Sequence, residues 1–293
     1  MKISTLELVS KLEKNQYVRA VALIALVLGA LITIGTFSLN TSKFLYDNVF
    51  VANNISNRIK KLAAGQDIEY FKKYLGAQIL QKDVNSNLAE YVFNYKESYI
   101  QTLVEKKNDE VIYWAVTYCG NTPVILERPV FSMGGRYLGK DMFGQEVIEN
   151  FLSPRLLLNR STFTDFLKKE EGDLKVFISG ATANSFAYES LYFGNPGAYQ
   201  TIIVGVNDIC PSAGDLYDHL DVDDMYLDDG EKPTEEAVNS FRKSVRINTY
   251  GETAPFRGEE VVELLNAIHS EDFKDPYINF GVDRIRVRYF PKN

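Results

Sequence analysis

The densest concentration of groups able to do chemistry is the acidic run from Asp215 to Glu231, which also holds one of only two histidines. In a helix Asp215, Asp218 and His219 would share one face, with Asp221 close behind. Carboxylate oxygens so gathered suit a hard cation such as Ca²⁺. The order departs from an EF-hand loop, because Met225 stands at position five with Asp221 counted as position one, and no Gly follows it. The alternative is a solvated acidic loop, the usual fate of a charge run. No cofactor is predicted, Ca²⁺ being the example of a metal that the run could hold. His219 and His269 lie near no G-x-S-x-G or H-E-x-x-H pattern, so no local signature of a nucleophile or a zinc protease is present. Gly134 to Lys140 has the G-x-x-x-x-G-K spacing of a phosphate-binding loop, yet Asp141 follows where the Mg²⁺-binding Ser or Thr belongs, which marks a chance match. Arg284, Arg286 and Arg288 alternate with apolar residues, so a strand would present three guanidiniums on one face, as an anion grip or as a wet surface. Tyr188, Tyr192 and Tyr199 flank a Gly-Asn195-Pro-Gly turn and could line a recognition pocket or fill a core.

Composition limits what such groups serve. The 293 residues are 45% hydrophobic and 24% charged, which supports a sizeable core. Lys and Arg number 32 against 39 Asp and Glu, a net charge of −7 that argues against a nucleic-acid partner. Of that total, residues 1–40 contribute +2 (Lys2, Lys11, Lys14 and Arg19 against Glu7 and Glu13), leaving −9 for the remainder. Two cysteines, Cys119 and Cys210, exclude a disulfide-dense scaffold; they are either a disulfide in an oxidising compartment or two buried thiols.

No charged residue occurs between Ala20 and Ser42. A run of that length matches the roughly 20 residues that cross a bilayer and exceeds the apolar region of a cleaved signal, so a transmembrane helix is expected over 18–39. The basic residues ahead of it place the N-terminus in the cytoplasm and the C-terminal domain in the periplasm or outside the cell, at the inner (plasma) membrane. Ala25, Gly29 and Thr33 form a small-residue stripe that would let a second helix approach, the motive for a homo-oligomer.

The expected fold class is α+β. An N-terminal segment (1–17) and the membrane helix (18–39) precede a juxtamembrane helix or stalk (40–64) that stops at Gly65. A helix-plus-antiparallel-meander unit (65–120) follows, and then a second α+β unit (121–293). In the meander unit Ile68, Phe71, Tyr74 and Leu75 make one apolar helix face, with Asp67 as N-cap and Gly76 ending the helix. Strands are predicted over 90–95, 99–105 and 110–118, and further strands over 174–179, 186–193 and 199–206.

The helix-then-meander order, opened by G-x-x-x-x-x-F-x-x-x-L-G, resembles the small domain of outer-membrane lipoproteins that assist barrel assembly. That resemblance implies a binding or scaffolding module. Taken with the leading apolar helix, the segments EYFKKYLG, YFGNPGAYQTIIVGVND, INTY and FGVDRIRVRYF resemble an uncharacterised bacterial family of single-pass membrane proteins, which implies placement without a mechanism. The expected function is a membrane-anchored extracytoplasmic binding, sensor or accessory protein. Its partners would be the bilayer, through residues 18–39, and a protein of unknown identity. The alternatives are a membrane-associated effector, for example in phage defence, and a metal-dependent hydrolase using the acidic run.

Overall fold

The alternation of β-branched and aromatic residues through 88–118 produces strands, and the turn residues between them set their register. In the computed structural model, residues 24–25, 27–36, 38, 51–126, 155–167, 174–177, 185–193, 200–210, 234–267 and 278–282 are described. The chain divides into two units, Met1–Val51 and Ala52–Asn293.

The first unit corrects the expected architecture. Among the described residues, no helix is long and apolar enough to cross a membrane. Within this helix the Thr33 hydroxyl donates to the Gly29 carbonyl at 2.8 Å, so its polar group is satisfied by its own backbone.

The second unit opens with α1 (Ala52–Ile59) and α2 (Ile68–Leu75). Ala52, Ile55 and Ile59 are the buried stripe of α1. Helix α2 begins where the Asp67 carboxylate accepts from the Glu69 N–H and ends at Gly76, whose φ of 91° only glycine adopts easily. Its buried face is Ile68, Phe71 and Leu75.

A meander follows: β1 (Leu80–Asp83), β2 (Leu88–Tyr95), β3 (Ser98–Glu105) and β4 (Glu110–Tyr118). Strands β5 (Val124–Leu126) and β6 (Leu156–Leu158) pair apart from it as a two-stranded ribbon. After α3 (Phe163–Leu167) come β7 (Lys175–Phe177), β8 (Phe186–Phe193), β9 (Gln200–Asn207), α4 (Glu235–Ser244), β10 (Thr249–Thr253) and α5 (Gly258–Asn266).

Eight strands form one antiparallel sheet in the order β1-β2-β3-β4-β10-β9-β8-β7. The meander and the later strands, expected as two units, thus share a single sheet, because β10 lies between β4 and β9. Both faces are covered. On one, α5 and residues 278–282 pack Val261, Leu265, Ile278 and Phe280 onto Tyr113, Ala115, Phe186, Tyr188 and Ile203. Gly281, with φ of 81°, lets the 278–282 segment lie close on the sheet, since a Cβ there would meet the Thr117 hydroxyl at 2.6 Å. The Asn207 amide fastens the same segment by donating to the Phe280 carbonyl at 2.8 Å. On the opposite face Phe71 meets Trp114 edge-on at 6.2 Å, and Trp114 in turn meets Tyr250 at 6.3 Å.

Candidate functional site

Strands covered on both faces bury polar side chains that a half-wet sheet would leave in water. Glu252 is fully buried; its carboxylate accepts from Trp114 Nε1 at 2.8 Å, from the Tyr250 hydroxyl at 3.2 Å and from the Ala64 N–H at 3.3 Å. It therefore holds the α1–α2 connection on the sheet. Glu189 of β8 receives Arg242 of α4 in a two-pronged ion pair, with Nη2 to Oε2 at 2.7 Å and both side chains 4% exposed. On the other face Gln101 donates to Glu90 at 2.6 Å and to the Asn279 carbonyl at 3.2 Å. Tyr113 lies in the same layer, and burial, followed by Tyr188 and Glu90, pushes its hydroxyl well above the ordinary tyrosine range. These groups brace the sheet from inside and are closed to solvent.

The accessible cluster is on α1, α2 and the β2–β3 hairpin. The Tyr74 ring has Lys61 Nζ 5.0 Å and Lys73 Nζ 5.8 Å from its centroid. Tyr70, one helical turn earlier, packs against it with the rings tilted by 52° and their centroids 4.7 Å apart. Arg58 donates to the Tyr74 carbonyl at 2.8 Å and places its guanidinium 5.5 Å from the Tyr95 ring, which Lys96 approaches at 5.9 Å from the hairpin. Lys72 extends the series, 5.4 Å from the Tyr91 ring, and is paired with Glu69 at 2.7 Å. Among the described residues, Lys61, Lys73 and Lys96 have no carboxylate at ion-pairing distance. The result is a contiguous basic and aromatic surface on an acidic protein, each ring face attracting a cation through its quadrupole.

No family model, curated protein or solved structure matches this chain.

The local charges act on the tyrosines. Hydrogen bonding with Tyr70 is the largest influence holding Tyr74 below the ordinary tyrosine range, and Lys73, Lys61 and Arg58 add to it; the same contact pushes Tyr70 up. A spectrophotometric titration should therefore show one tyrosine ionising ahead of the rest. Tyr74→Phe should remove that step and Lys73→Gln should move it to higher pH; a titration without an early step would contradict the arrangement.

The residues singled out by sequence fare differently. Cys119 and Cys210 are brought together as a disulfide, with a Cα separation of 4.8 Å. Tyr188 is a core residue: it is 1% exposed, its ring lies 5.2 Å from Phe280, and its hydroxyl donates to Asn266 Oδ1 at 2.7 Å. Tyr192 pairs with Thr201 across β8 and β9. Ala25, Gly29 and Thr33 are helical and fall at i, i+4, i+8. Asn195, Tyr199, Asp215, Asp218, His219, Asp221, Arg284, Arg286 and Arg288, and the Gly134–Lys140 loop, lie outside the described residues. Among the described residues no group of three or more His, Cys, Asp or Glu is placed to hold a metal. The basic surface escaped the sequence reading, although Tyr70, Lys73 and Tyr74 at helical spacing are its visible trace.

Proposed function

We propose that the protein is an extracytoplasmic binding protein, a sensor or accessory subunit, whose contact surface for an anionic partner is the basic cluster around Tyr74 and Tyr95. The observation that carries this reading is the Cys119–Cys210 bond, which joins the residue after β4 to the loop after β9. Such bonds persist in oxidising compartments and are rare in the cytosol. The cluster supports the binding part of the reading: exposed lysines held beside tyrosine rings present both charge and apolar area to a partner.

Trapping thiols in acid-quenched cells with a polymer-tagged maleimide tests the compartment. Without reductant the chain should run unshifted, and after reduction it should gain two adducts. Free thiols in the quenched cells would remove the ground for the assignment.

A further inference from the structure

We infer that the Tyr74 and Tyr95 surface docks on anionic phospholipid headgroups, an identification of the partner that rests on the binding role proposed above. The surface is continuous: Lys61 and Lys73 both approach the Tyr74 ring, and Arg58 links Tyr74 to Tyr95, whose ring Lys96 approaches. In a chain of net charge −7, a cluster whose Lys61, Lys73 and Lys96 have no carboxylate partner among the described residues is complementary to an anionic plane. Its tyrosines have an apolar ring and a polar hydroxyl, which suits them to the headgroup level of a bilayer.

The first unit supplies the reason to choose lipid over an acidic protein. Its helix carries Ile24, Val27, Leu28, Leu31, Ile32 and Ile34, all at least 50% exposed. A helix that is apolar all round finds its partner in a protein core or in lipid. Lipid offers both chemistries, hydrocarbon for an apolar helix and phosphate for a basic surface.

The test uses the full chain and vesicles of phosphatidylcholine, either alone or mixed with phosphatidylglycerol, with binding read by flotation. Phosphatidylglycerol should raise partition, and added salt should reverse the gain. Lys61→Gln and Lys73→Gln should each lower partition onto the mixed vesicles about fivefold, while partition onto phosphatidylcholine stays unchanged because the apolar helix is intact. Both lysines are exposed, so the variants should fold. Equal partition of wild type and variants onto the mixed vesicles would overturn the inference. Variant-sensitive binding to soluble polyglutamate without any gain from phosphatidylglycerol would also overturn it, while leaving the anionic-partner reading standing. Indifference to both probes would sink the two together.

Discussion

Arg242→Ala is expected to destabilise the fold by about 3–5 kcal/mol, a large part of the roughly 5–15 kcal/mol that holds a domain together. Arg242 and Glu189 are each 4% exposed and meet through two parallel contacts. Removing the guanidinium leaves a carboxylate on the buried face of β8, where water cannot replace the lost partner. Replacing both residues, Glu189→Leu with Arg242→Met, should cost far less than the single change, since an apolar pair of similar volume needs no desolvation. Urea unfolding followed by far-UV circular dichroism would measure both. If Arg242→Ala and the double variant shift the midpoint equally, the penalty of the orphaned charge is not what matters at this position.

Replacing Cys119 and Cys210 by Ser should lower stability by about 4 kcal/mol in oxidising buffer, the size expected for a cross-link whose sequence separation is 91 residues. The bond closes a long loop and so restricts the unfolded chain far more than the folded one. Cys210 is 1% exposed, so the replacement also puts a hydroxyl where a buried sulfur was. The measurement is the urea midpoint of wild type and double variant, with and without reductant. Wild type in reductant should approach the variant. A wild-type midpoint that ignores reductant would show that the bond contributes little.

Helix α2 and strands β2, β3, β4, β8 and β9 are legible from local pattern, because each carries its own signal. Asp67 caps, Gly76 terminates, and the apolar spacing of Ile68, Phe71 and Leu75 marks the inward face. The turn from Lys106 to Asp109 separates β3 from β4, with Asp109 at φ 57°. Edge strand β1, with the sequence Leu-Gln-Lys-Asp and mostly exposed, has no such pattern and exists because β2 offers it a partner. Strand β10 is short and contains Gly251, and only its insertion between two longer strands makes it a strand. The buried Glu90, Glu189 and Glu252 read locally as solvent-facing positions. What reverses that is the second covering layer, a long-range property supplied by α2, α4, α5 and residues 278–282. That the strands on either side of residue 120 share one sheet is illegible for the same reason, since nothing near residue 120 announces that the sheet is completed by residues 249–253.

The order of strands has a bearing on how the chain reaches its native state. Strands β1–β4 and β7–β9 can each assemble from near neighbours, but the strand that joins them is the last of the sheet to be made. Until Thr249–Thr253 emerges, β4 and β9 each display a bare row of backbone donors and acceptors, an open template for pairing with other chains. Contacts of such long sequence separation also form slowly. A truncation between residues 208 and 248 should therefore yield two sticky half-sheets in place of a smaller stable protein, and a newly made chain would depend on being shielded until its last 45 residues arrive.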